Sequence, residues 1–198
     1  MHFKQSALDW IAAEHNKFDA VCLTGDFLNT SDNAPVPLAE QVAQLQQWLS
    51  ILHKPVFVCS GNHDVWKKSF SWLKSMNPNV VADGQIVELN GVTFGCIGYQ
   101  QHNYANFANC DVILHHEPPA RTSPAKQAGV DYGSEELYWA LKTQVIQPKY
   151  LLCGHVHKPQ KHVARFKQTI ISNAGGVHNN AGTSYAVVEI SSNKEKLK

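Results

Sequence analysis

Four short apolar runs in this chain each end abruptly in a polar cluster. The clusters are Gly25-Asp26-Phe27-Leu28-Asn29, Gly61-Asn62-His63-Asp64, His115-His116-Glu117-Pro118-Pro119 and Gly154-His155-Val156-His157. Together they offer carboxylate, amide and imidazole donors with no thiolate at ligand spacing. Such a set suits Mn, Fe or Zn rather than a soft thiophilic ion. In three clusters a glycine precedes the polar group, which lets the backbone turn sharply and keeps the approach open. Each cluster alone has a plainer reading. Gly-Asp after a strand is ordinary turn chemistry, a His pair before Pro-Pro can simply end a strand, and Gly-His-x-His can be incidental. Their weight comes from occurring together, in order, each at a strand end, because open α/β sheets bind ligands outside the carboxyl ends of their strands.

The elements that would position them follow from apolar spacing. A first helix is expected from about Ser6 to His15, capped by Ser6, with Leu8, Ile11, Ala12 and His15 on one face. Ala20 to Leu23 reads as a buried strand. Thr30 to Pro37 is a polar loop, and a helix from about Pro37 to His53 aligns Leu38, Val42, Leu45, Leu49 and Leu52. Val56 to Cys59 is the next strand. Trp66, Phe70, Leu73 and Met76 mark a third amphipathic helix. Gln85 to Leu89 and Val92 to Ile97, joined through Asn90-Gly91, form a hairpin, since Asn-Gly suits a two-residue primed turn. Gly98 to Asn109 and Arg121 to Gly133 read as long loops flanking the strand Val112 to Leu114. Ser134 caps a helix with Glu135 and Glu136 in its first turn and Leu137, Leu141 and Val145 inward. Tyr150 to Cys153, Thr169 to Ser172 and Ser184 to Ile190 complete the strands.

Composition narrows the class. The chain has 198 residues, is 43% hydrophobic and 17% charged, and carries 17 Lys+Arg against 16 Asp+Glu for a formal charge of +1. That length fits one domain, residues 1–198, with a sizeable core. Near-neutrality argues against nucleic acid or an anionic membrane held by bulk electrostatics. No apolar run reaches the ~20 residues that span a bilayer, and the N-terminus has no secretory pattern. Five cysteines, an odd number without CxxC, make no disulfide framework; with four of them in apolar runs, a reducing, cytoplasmic compartment is expected. Trp48 and Trp72 fit helical faces in the core. His15, His53, His102, His162 and His178 lie outside the clusters and read mostly as surface or capping residues, with His178, beside Gly175-Gly176, able to approach the site.

The ordered clusters resemble the motif set of the calcineurin-like metallophosphoesterases: Asp-x-His, Gly-Asp-x-x-Asp/Asn, Gly-Asn-His-Asp/Glu, a later His, and Gly-His-x-His. Four of the five stand here in order. His116-Glu117-Pro118-Pro119, Gly129, Gly133-Ser134 with Leu137, and Pro148-Lys149-Tyr150 ahead of Gly154-His155-Val156-His157 are similar to the small single-domain phosphodiesterase branch. The resemblance implies an α/β fold, a four-layer α-β-β-α sandwich of two mixed sheets flanked by helices. It also implies roles. Asp26 would bridge two metal ions. Asn62, His116 and His155 would complete one site with it, and His157 would belong to the other. His63 would stay off the metals and act beside the phosphate as proton donor or transition-state stabiliser, with Asp64 orienting its ring. His116 is preferred to His115 by its His-x-Pro-Pro register, and Asn29 would support the site from behind. The first motif departs from the pattern. The chain opens Met1-His2-Phe3 and then enters a helix, so the first strand is expected to be missing, with Met1 at the middle motif position and His2 as the motif histidine. The second metal site, left with Asp26, His157 and His2, is then expected to be the weaker.

The implied activity is hydrolysis of phosphodiesters, cyclic nucleotides or related small phosphoesters among them, through attack by a metal-bridging hydroxide held between two Mn, Fe or Zn ions. Arg121 is the cation best placed in sequence to meet a second phosphate oxygen, and the loops from Tyr99 to Phe107 and from Arg121 to Tyr132 are the segments that would shape a pocket. The competing reading is a metal-poor family member serving as a protein-interaction scaffold, which the first motif's absence suggests and the retained His63 argues against. The expected partner is a small phosphoester, not a membrane or nucleic acid; association with copies of itself is left open.

Overall fold

The structure is a computed structural model that describes residues 2–74, 77–176 and 184–190. Helix α1 (Gln5–Glu14) buries Ala7, Leu8 and Ile11. Strand β1 (Val21–Leu23) follows. Helix α2 (Leu38–Ser50) buries Gln41, Val42, Leu45, Trp48 and Leu49 along one stripe. Next come β2 (Val56–Val58), β3 (Val80–Val81), β4 (Ile86–Leu89), β5 (Val92–Ile97) and β6 (Val112–His115). A small hairpin, β7 (Lys126–Gln127) with β8 (Val130–Asp131), precedes α3 (Glu135–Lys142), whose Ser134 cap accepts from the Leu137 amide. Strands β9 (Tyr150–Cys153), β10 (Val163–Phe166) and β11 (Thr169–Asn173) are the last regular elements among the described residues.

Two sheets pack face to face. The smaller has the order β1-β2-β3 and is parallel throughout. The larger has the order β10-β11-β9-β6-β5-β4; its inner strands are parallel and its edges, β10 and β4, antiparallel. Three buried clusters separate the layers. Leu8, Leu45, Trp48, Leu49 and Val58 join the first two helices to the smaller sheet. Phe57, Cys59, Val81, Phe94, Cys96 and Leu114 fill the space between sheets, where the Phe57 and Phe94 rings stack with centroids 4.2 Å apart. Ile113, Leu137, Leu141 and Leu151 join the larger sheet to α3. This is the expected α-β-β-α layering. Its consequence for function is that β1, β2, β6 and β9 point the same way, so their carboxyl ends open at one edge.

Several expectations change. Helix α1 begins at Gln5 with Lys4 at its N-cap and no side-chain cap, so Ser6 lies inside it rather than capping it. Val145, expected inward on the last helix, lies beyond the end of α3 at Lys142 and is exposed. The helix expected around Trp66 to Met76 is a single 3-10 turn, Ser71–Leu73, among the described residues; Met76 lies outside them. Trp66 and Ser69 exchange both backbone hydrogen bonds at 2.9 Å, and Lys67 and Lys68 both have positive φ, so a helix cannot pass. Residues 184–190 join no ladder; Tyr185 lies against Trp10 instead, with centroids 4.5 Å apart. His15 is buried, its Nδ1 donating to the Ala12 carbonyl at 2.8 Å and its Nε2 accepting from the His53 amide at 3.3 Å. It therefore fastens the end of α1 to the end of α2. Trp48 and Trp72 are core residues as expected.

Candidate metal centre

Asp26 sits just past β1 in a left-handed conformation, φ 58°, after Gly25 at φ 89°. The turn is tight because two chain segments meet there. A Cβ on Gly25 would lie 2.6 Å from the Gly61 nitrogen and 2.7 Å from His116 Nδ1, and one on Gly61 would collide with the Asp26 carboxylate. Both glycines are therefore steric requirements. The clasp between the two segments is Asp64. One of its oxygens accepts the Asp26 and Gly61 amides, each at 2.8 Å, and the other accepts Phe27 at 2.7 Å and Leu28 at 3.1 Å. This corrects the role expected for Asp64. Its carboxylate is spent on backbone N–H groups and does not orient His63. Burial pushes its acidity down, lifting the carboxyl to about 6, against the amide bonds that favour the anion.

The ring of His63 is instead held by Thr30, whose Oγ1 is 2.5 Å from Nδ1. That leaves Nε2 facing outward. Thr30 is supported in turn. Asn29 Oδ1 accepts the Ser31 amide at 3.1 Å. The fully buried Gln41 accepts the Asn29 amide at 2.8 Å and donates to the Asn29 carbonyl at 3.0 Å and the Val36 carbonyl at 2.7 Å. Nothing in the sequence singles out Thr30 within its polar loop. Gln41 was readable, as a lone amide on the apolar stripe of α2.

Around Asp26 two donor groups form, and they share its carboxylate: His2, Asp26 and His157 on one side, Asp26, His116 and His155 on the other. Asp26 Oδ2 is 3.6 Å from His2 Nε2, and Oδ1 is 3.3 Å from His116 Nε2. Asn62 Oδ1 joins the second group, 2.9 Å from His116 Nε2 and 3.1 Å from His155 Nδ1. The structure thus brings together Asp26, Asn62, His116, His155, His157 and His2. His2 is seated by its own amide, which donates to the Asp26 carbonyl at 2.6 Å. His116 Nδ1 donates to the Thr24 carbonyl at 2.7 Å, which fixes the tautomer and turns Nε2 inward.

The donor chemistry fits cations. Imidazole nitrogens approach each other to 3.1 Å between His2 and His157 and 3.2 Å between His116 and His155. Burial pushes the imidazoles of His2 and His155 down to about 4, so they are neutral bases near pH 7. Burial, the largest single influence, opposes the negative charge on Asp26, but the hydrogen bond and charge of His116, the His63 amide and His2 together outweigh it and hold the carboxyl well below its usual range. Close-set imidazoles around a buried carboxylate are a ligand set. Arg121 does not take part. It pairs with Glu135 at 2.9 Å and lies over the Tyr138 ring, 4.6 Å from its centroid. His178 lies outside the described residues.

A pair of donor groups sharing one carboxylate, at the strand ends of an α-β-β-α sandwich, defines a candidate two-cation centre. The family model of the calcineurin-like phosphoesterases matches residues 2–159, and the chain belongs to that family. It is 27% identical, over 173 residues, to a 3',5'-cyclic adenosine monophosphate phosphodiesterase CpdA of Vibrio vulnificus (strain CMCP6). The match covers 78% of this chain and 60% of that protein, so the chain spans less than two thirds of the relative's length. Solved structures share the fold. One superposes with a TM-score of 0.62 at 16% identity over 85% of this chain and 84% of the other. A second, GAP50, the anchor in the inner membrane complex of Plasmodium, gives 0.52 at 12% identity over 86% of this chain and 66% of the other. No helix among the described residues is long and apolar enough to cross a membrane.

Proposed function

We propose that this chain hydrolyses small phosphodiesters at a centre of two divalent cations. Asp26, Asn62, His116 and His155 would hold one cation, and Asp26, His157 and His2 the other. The observation that carries the reading is the division of Asp26, whose two oxygens face two separate histidine groups. Bound there, two such ions would supply Lewis acidity to the phosphate and lower the pKa of a water.

The chain's own residues do the rest. Asp64 and the paired glycines fix the Asp26 and Asn62 loops to each other, so the donors are preorganised. Thr30 holds Nδ1 of His63, which leaves Nε2 free to give a proton to the departing alkoxide. The His63 ring stands edge-on to His2, with centroids 4.8 Å apart, so it borders the centre without joining either donor group. The cyclic nucleotide phosphodiesterase among its relatives supports a small diester as substrate. The test is a leaving-group series on the manganese-loaded protein. His63→Ala should slow diesters with alkyl leaving groups by about 100-fold or more, and nitrophenyl diesters much less. Equal slowing of both would remove His63 as the acid. A wild-type protein inert toward every diester would remove the reading itself, and with no bound metal would favour a scaffold.

A further inference from the structure

The wall beside the cation centre is aromatic and anchored. Tyr99 follows the end of β5, and its amide donates to Ser60 Oγ at 2.9 Å. Ser60 directly precedes Gly61-Asn62-His63, and its own amide donates to Asp83 Oδ1 at 2.8 Å. Gly98 permits this, because a Cβ there would fall 2.5 Å from the Asp83 carboxyl carbon. The backbone of Tyr99 is therefore tied to the segment that carries Asn62 and His63. Its ring stands edge-on to His116, centroids 6.3 Å apart at 82°. It also meets Phe70 edge-on, 6.3 Å apart at 72°. Phe70 comes from the loop just after His63 and Asp64. Neither ring belongs to a buried cluster, and both are half-exposed. A backbone held this firmly, presenting aromatic surface that the core does not use, is arranged for a ligand. Arg121, the cation expected to meet substrate, is paired elsewhere.

Resting on the phosphodiester reading, we infer that Tyr99 and Phe70 form a stacking wall for a flat ring carried next to the scissile phosphate. The site then selects diesters of a nucleoside, or of another planar aromatic group, over purely aliphatic ones. Recognition through a π-face needs no hydrogen-bond match, so the wall selects for a base and discriminates weakly among bases.

The experiment compares 3',5'-cyclic AMP with the 3',5'-cyclic phosphate of methyl riboside, the same ring phosphate without a base. In Tyr99→Ala the ratio of kcat/KM for the two should fall about 10-fold or more, mainly through KM for the nucleotide. Phe70→Ala should lower it in the same direction, and Tyr99→Phe should preserve it. An unchanged ratio in both alanine variants would overturn the inference, and so would an equal fall in Tyr99→Phe, which would assign the hydroxyl instead. Calorimetric binding of AMP against ribose 5-phosphate, which needs no turnover, reads the same ratio. If the wild type hydrolyses neither diester, the activity reading fails while this binding ratio still decides the wall. Should Tyr99→Ala misfold, Tyr99→Leu and Phe70→Ala carry the comparison.

Discussion

Replacing Asp64 by asparagine keeps the shape of the side chain and removes its capacity to accept four amides. Each oxygen now takes two N–H groups, Asp26 and Gly61 on one, Phe27 and Leu28 on the other. A carboxamide has one oxygen, so one pair of buried donors would face an NH2 group instead. An unsatisfied buried donor costs about 1–3 kcal/mol, which puts Asp64→Asn at roughly 2–6 kcal/mol of lost stability, a large share of the 5–15 kcal/mol typical of a domain. The loss should appear in metal-free protein, because the clasp is backbone to carboxylate and needs no ion. Urea unfolding at pH 7 in the presence of a chelator measures it. Asn62→Ala makes the contrast, since Asn62 Oδ1 faces His116 and His155; it should weaken metal binding and leave metal-free stability within about 1 kcal/mol. An Asp64→Asn protein as stable as wild type would refute the clasp.

Two further outcomes follow from the hydrogen bonds. Thr30→Val keeps the branched shape but frees His63 Nδ1; kcat should drop about 10–100-fold with manganese affinity unchanged, and Thr30→Ser should restore most of it. Wild-type kcat in Thr30→Val would show that the bond positions nothing. His115 is fully buried, and burial lowers its pKa from 6.5 to about 4. The unfolded chain then takes up a proton below pH 6.5 that the folded chain refuses until about pH 4, so stability falls as pH drops through that window, by about 3 kcal/mol in full. His115→Gln, unfolded in urea at pH 7 and pH 4.5, should lose less on acidification than wild type; an equal loss would show that His115 does not contribute.

The strand ends were legible because each joins an apolar run to a polar cluster without transition. Val56 to Val58, every residue buried, runs almost directly into Gly61-Asn62-His63. That contrast is a sequence property, and so is the choice of His116, inward through Nε2, over His115, which bonds the Glu117 carbonyl at 2.8 Å. What failed depends on backbone conformation or on a partner chosen in space. Trp66 to Met76 has helical spacing, yet Lys67 and Lys68 sit at positive φ, which lysine gives no reason to expect. The β7–β8 hairpin turns through Ala128 and Gly129, also at positive φ; Gly129 was its one visible sign. Asp64 illustrates the second kind. A carboxylate next to a histidine can orient the ring or gather amides, and residue type cannot decide between them. Here the amides of residues 26–28 lie in reach, and the ring falls to Thr30.

The proposed centre shares Asp26 between two cations. Anomalous diffraction from crystals soaked in manganese tests it directly. Two peaks are expected about 3.5–4 Å apart, one beside Asn62, His116 and His155, the other beside His2 and His157, with a carboxylate oxygen of Asp26 in contact with each. A single peak, or two peaks of which one lies away from Asp26, would contradict it.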